Sequence, residues 1–243
     1  MSRRDEHGYD CEKCLTIIKR HCSKGGDRPV CLCIAKKVFT MNLKEKIIHE
    51  SLKLFSLKGL LNTSLHDILK AANTSKGGFY NHFASKEELF FQVLDEARRI
   101  WREKNLSGLD EIENPVEKIK RFLENFRDLY LKDSENFPGG CIFITFSVEL
   151  NDQRPHLSRE VHKGFIGLKS MLKRLLDEGR ESGGLSQDVS TSAITEMLFA
   201  GMLGATVMYG LDKSTANLDR SINSLIDYLE LQQRVHHAQY VVA

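Results

Sequence analysis

The sequence predicts an all-α fold of about nine helices, and three observations carry that prediction. Apolar residues recur at three- and four-residue spacing through most of the stretch from residue 41 to about 233. Helix-start residues precede these periodic segments in almost every case, and glycine or asparagine closes several of them. Only four prolines occur in 243 residues, and Pro115, Pro138 and Pro155 fall at segment boundaries rather than inside the periodic runs.

The first helix opens just after Met41, with Leu43, Ile47, Ile48, Leu54 and Phe55 on one face and Gly59 as its left-handed stop. Ser64 and Asp67 have capping-box spacing and start a second helix that runs to about residue 72. Asn73 supplies the left-handed turn that follows it. Ser75 caps a short third helix over 76–83, and Ser85 caps a fourth that reaches about residue 104, with Glu87 and Glu88 at its positive end. Asn114-Pro115-Val116-Glu117 combines an N-cap, a first-turn proline and a first-turn carboxylate, so a helix starts there. Pro138-Gly139-Gly140 breaks the chain, and a long helix runs from Pro155 to about residue 181. Two more lie near 190–210 and 216–233.

At 41% hydrophobic and 28% charged residues the chain is globular, which excludes disordered, collagen-like and disulfide-scaffold classes. Charge is uneven. Residues 1–40 carry nine Lys/Arg against five Asp/Glu (+4), residues 41–90 seven against five (+2), and the rest nineteen against twenty-three (−4). A basic front and an acidic back suit a protein that meets a polyanion with its N-terminal part. The longest uncharged apolar run, residues 197–211, falls short of the roughly 20 needed for a membrane span, and no export signal is visible. A cytoplasmic protein with no membrane partner is expected.

The second and third helices, joined by a tight turn, have the dimensions of a helix-turn-helix. Gly77 and Gly78 let the backbone of the third helix approach phosphates or base edges closely, and Phe79 and Phe83 turn inward. The run Thr74-Ser75-Lys76-Gly77-Gly78-Phe79-Tyr80-Asn81-His82-Phe83-Ala84-Ser85-Lys86-Glu87-Glu88-Leu89-Phe90 resembles the recognition helix and following segment of TetR-family transcriptional regulators. Upstream, residues 47–55, Gly59 and Thr63-Ser64-Leu65 leading to Asp67-Ile68 are similar too, so the likeness spans about 43–94. It implies a three-helix DNA-binding domain over 41–90 and a helical ligand-binding and dimerisation domain over 91–234, with a tail at 235–243. It further implies a homodimer that binds a palindromic double-stranded operator and is released by a small-molecule effector, acting as a repressor with no cofactor. By position, Ser64 would bond a phosphate and His66 would reach toward bases. Lys76, Gly77 and Gly78 would face base edges with Asn81 beside them, and Tyr80, His82 and Lys86 would grip phosphates. Leu69, Asn73 and Thr74 depart from the usual small, glycine and aliphatic residues of the motif. Leu69 is expected to open the angle between its helices.

In the remainder, Phe122, Phe126, Tyr130, Phe143, Phe146, Phe165 and Phe199 are candidates to line a cavity for an apolar or aromatic ligand, or else plain core. Cys141, at a helix start, is either a thiol of lowered pKa or a small buried residue. Ala200, Gly201, Gly204 and Ala205 smooth one helix, and Leu218, Ile222, Leu225, Ile226 and Leu229 stripe the next. Paired across two subunits these would make a four-helix interface.

Residues 1–40 lack periodicity. Cys11-x-x-Cys14, Cys22 and Cys31-x-Cys33, with His7 and His21 nearby, match no regular tetrahedral spacing, so no metal is expected. The segment reads as a flexible arm adding nonspecific DNA affinity, or as a start assigned too far upstream. An enzyme is disfavoured because no nucleophile–base or metal-ligand constellation occurs. The remaining alternative is a dimeric ligand-binding or thiol-redox-sensing protein with weakened DNA binding.

Overall fold

The computed structural model describes residues 41–241, so the expectations for residues 1–40, the absent metal included, lie outside the described residues. Of the N-terminal unit, residues 1–46, the described part is a helix start: Asn42 and Glu45 exchange backbone-to-side-chain hydrogen bonds of 3.0 Å each, a reciprocal cap. It opens α1 (Leu43–Lys58). Then come α2 (Leu65–Ala72), α3 (Lys76–Tyr80), α4 (Lys86–Asn105) and α5 (Pro115–Asn125), which continues as a π-turn over Phe126–Leu131. The chain continues through α6 (Ile142–Leu150), α7 (Pro155–Glu181), α8 (Thr191–Asp212) and α9 (Thr215–Val241). The described residues hold nine α-helices and no strand, as expected.

The local signals act as read. Ser64 and Asp67 form the capping box, Asn73 is left-handed at φ 51°, and Gly59 has φ 81°. Asn114 accepts from the backbone of Val116 and Glu117 behind Pro115, and Ser85 accepts from Glu88. Two elements differ from expectation. Helix α3 ends at Tyr80 instead of near 83, because His82 N–H bonds Phe79 at three-residue spacing and tightens the last turn. Helix α9 runs on to Val241, so residues 235–241 are helix rather than tail. The boundary expected at 90/91 falls inside α4, which is unbroken, and residues from 47 on pack as one unit.

That unit is joined at a ring cluster. Phe146 of α6 meets Phe90 of α4 at 4.9 Å and Phe55 of α1 at 6.1 Å between ring centroids, all three fully buried. Three fully buried rings contribute about 1.5–3 kcal/mol each by burial, which makes the seam between the first and second halves a core rather than a hinge. Further along, α8 packs on α7 and α9, and α5 lies against α7.

Candidate nucleic-acid interface and effector cavity

Helices α2 and α3 are held from behind by Ile68, Leu69, Ala72 and Phe79, which are buried. Their outer face presents His66, Lys76, Gly77, Tyr80, Asn81 and His82, all exposed, with Gly78 half-buried beside them. Tyr80 is 54% exposed, its ring edge resting on Phe79 at 5.3 Å with the hydroxyl free to reach outward. A Cβ on Gly77 would meet only Ser75 Oγ, at 3.8 Å, so the fold itself does not demand glycine there. Glycine costs a helix about 0.5–1 kcal/mol relative to alanine, and no contact within the described residues offsets that cost at Gly77. Lys70, overlooked in the sequence, is exposed one turn beyond His66; its spacing of four from His66 was the available signal.

Two expected phosphate contacts are occupied otherwise. Ser64 Oγ accepts from Asp67 N–H at 3.1 Å and donates to Asp67 Oδ2 at 2.9 Å, so its one proton is used inside the cap. Lys86 turns inward: its ammonium donates to the carbonyls of Leu60 at 2.9 Å and Thr63 at 2.8 Å. Burial pulls its pKa below the usual lysine value, opposed by the nearby Glu149 carboxylate. Glu149 of α6 holds the same loop from the other side, accepting from Leu60 and Leu61 N–H at 2.7 Å each. The loop before α2 is thus clamped between a lysine and a glutamate, and neither role shows in local sequence. Lys86→Ala is therefore expected to cost about 1–3 kcal/mol of stability, because the Thr63 carbonyl loses the lysine and the Leu60 carbonyl keeps only the 3.3 Å bond from Thr63 N–H. Urea unfolding checks this; an unchanged midpoint would return Lys86 to the surface.

A cavity of about 480 Å³ lies among α4, the π-turn, α6, α7 and α8. Of the seven candidates, Phe126, Phe143, Phe165 and Phe199 line it. The other three are core. Phe122 is fully buried between Trp101 and Phe126, Phe146 is spent on the ring cluster, and Tyr130 packs on Phe126 and Phe137. Trp101, also missed in the sequence, joins the wall. Cys141 reaches the cavity with its Sγ 3.2 Å from the Tyr130 hydroxyl, and burial pushes its thiol pKa up, the opposite of an activated thiol.

The expected subunit interface separates into two sets. Leu218, Ile222, Leu229 and Ala205 are buried within the single chain. A Cβ on Gly201 would come within 2.7 Å of the Leu225 side chain, so that glycine serves the packing of α8 on α9, where Leu225 and Ile226 are half-buried. Ala200 and Gly204 are exposed, and Val207, Met208 and Leu211 extend their face down α8. At 22 residues α8 is long and apolar enough to cross a membrane by length and composition, although the uncharged run alone is shorter. Only 33% of its most apolar stretch is buried in the chain.

A short, exposed helix presented by a capped turn, on an all-helical body with a largely apolar cavity, defines a helix-turn-helix DNA-binding transcriptional regulator. The comparisons agree. The model "Bacterial regulatory proteins, tetR family" matches residues 47–93, and "Tetracyclin repressor-like, C-terminal domain" matches 115–225. The HTH-type transcriptional repressor DhaR of Mycobacterium sp. (strain GP1) is 26% identical over 188 residues, 77% of this chain and 92% of that protein. The HTH-type transcriptional repressor NemR of Escherichia coli (strain K12) is 23% identical over 180 residues, 74% and 89% of the two chains. A solved TetR transcriptional regulator from Chloroflexus aurantiacus J-10-FL superposes with a TM-score of 0.72 at 27% identity, covering 78% of this chain and 95% of its own. The chain belongs to the TetR family of transcriptional regulators.

Proposed function

We propose that the chain is a homodimeric, effector-responsive repressor, acting in the cytoplasm by binding rather than catalysis. One observation carries the reading: α4 starts at Lys86, six residues after α3 ends at Tyr80, and its far end, at Trp101, walls the cavity. A molecule in the cavity therefore presses on the same helix that carries the DNA-facing element. Residues 41–90 supply DNA binding and 91–234 the effector site and dimer contacts. Lys76, Gly77, Gly78 and Asn81 face base edges in the major groove, His66 reaches toward them, and Tyr80 and His82 take phosphates. The exposed apolar face of α8 is the surface a second subunit covers. Effector binding shifts the population toward a separation of the two α3 helices that no longer fits successive major grooves. That both DhaR and NemR are repressors supports this sign of regulation.

Footprinting on DNA flanking the protein's own coding region tests the reading. The expected result is a protected palindrome whose half-sites lie about one helical turn apart or a multiple of it, with affinity falling steeply as salt rises. Equal affinity for unrelated DNA at every salt concentration would contradict it.

A further inference from the structure

The rim of the cavity is cationic where its body is apolar. Arg98 and Arg102 reach it from α4, Glu160 and Lys163 from α7. Most of this charge is already matched. Arg98 pairs with Asp95 at 3.1 Å and donates to the Glu160 carbonyl at 2.6 Å, and Lys163 holds the Glu160 carboxylate at 2.6 Å. Arg102 differs: its exposed guanidinium makes no ion pair or side-chain hydrogen bond among the described residues. Behind it the wall is Trp101, Phe126, Phe143, Phe165, Phe199 and Met202.

We propose that the cavity takes an amphipathic carboxylate, its apolar body along the aromatic wall and its carboxylate on Arg102; this rests on the effector-site reading above. A cavity of about 480 Å³ sits within the usual range of about 300–1,000 Å³ for small-molecule sites. The guanidinium fork matches a carboxylate in two parallel hydrogen bonds, stronger than neutral ones. Because Arg102 stands at the rim, the anion keeps part of its hydration and the penalty for burying a charge stays small. A purely apolar ligand would fill the wall and leave the unpaired guanidinium unused.

The test compares decanoate with 1-decanol, which share chain length and differ in the head group. Transfer out of water alone favours the alcohol, so a preference for the acid must come from the rim. Trp101 is the only tryptophan in the chain and reports binding through its emission, with calorimetry as a second readout. The full chain is expected to bind decanoate at least tenfold tighter than decanol at neutral pH. Arg102→Gln is expected to bring the two within threefold of each other, and Arg102→Lys to restore part of the preference. Decanol binding as tightly as decanoate would overturn the proposal and leave the effector cavity standing. A preference that survives Arg102→Gln would overturn it as well. Failure of both ligands to bind would bring down the cavity reading together with the proposal.

Discussion

Gly139→Ala is expected to destabilise the protein by roughly 3 kcal/mol or more, lowering the melting temperature by about 6–12 °C. A Cβ at Gly139 would lie 1.9 Å from the backbone oxygen of Ser56 and 2.3 Å from its carbonyl carbon. Neither atom is the end of a flexible side chain, so the strand of chain before α6 must back away from α1. That retreat would also break the hydrogen bond from Gly139 N–H to Ser56 Oγ at 3.2 Å. Gly77→Ala makes the opposite pair of outcomes. With only Ser75 Oγ at 3.8 Å, the fold accepts the methyl group and gains up to about 1 kcal/mol of helix propensity, while DNA binding weakens. Thermal unfolding of both variants beside an operator titration separates a glycine the fold requires from one the ligand requires. Equal stability of Gly139→Ala and the parent would mean the two segments do not touch as described.

The second large effect concerns the outer face of α8. Met208 is 53% exposed in the single chain, so Met208→Glu has no intrachain reason to unfold it. If a second subunit covers this face, the new carboxylates must be desolvated against apolar surface and each other on association. A folded monomer at micromolar concentration is the expected state, by sedimentation, with operator affinity down by roughly 10²–10⁴-fold for loss of the second half-site contact. Gly204→Glu, on the same face with open space around it, should behave alike. Leu229→Glu is the contrasting case: that side chain is fully buried inside the chain, and global unfolding is expected. Dimers of native affinity in both Met208→Glu and Gly204→Glu would place the interface elsewhere.

What could be read from the sequence was what local chemistry determines. The caps at Ser64, Ser85 and Asn114 and the left-handed turn at Asn73 depend on neighbours within four residues, and all stand in the structure. The exposed face of α3 was legible for the same reason, since one helix face needs only periodicity. What escaped depends on residues far apart in the chain. Glu149 meets Leu60 across 89 positions and Lys86 meets it across 26, and no local pattern encodes either partner. The seven candidate cavity rings divided because periodicity says which side of a helix faces inward, not whether a neighbour fills the space beyond. Phe126 and Tyr130, four apart, do share a helix face and stack at 5.7 Å, yet only Phe126 lines the cavity, since Tyr130 is buried against Phe137 and Cys141. The α8–α9 interface was overdrawn on the same ground, since Leu218, Ile222 and Leu229 are apolar for the sake of their own chain.

In the proposed complex Lys76, at the start of α3, and Asn81, its C-cap, read bases while Tyr80 and His82 hold phosphates. Selection of bound sequences from a randomised duplex library, run with the parent, Asn81→Ala, Lys76→Ala and Tyr80→Phe, tests it most directly. Asn81→Ala and Lys76→Ala are expected to change the preferred bases, relaxing discrimination by about 1–3 kcal/mol at the positions they contact. Tyr80→Phe is expected to weaken binding to all sequences alike and leave the preference unchanged. Selection profiles for Asn81→Ala and Lys76→Ala identical to the parent's would contradict the assignment of α3 as the reading helix.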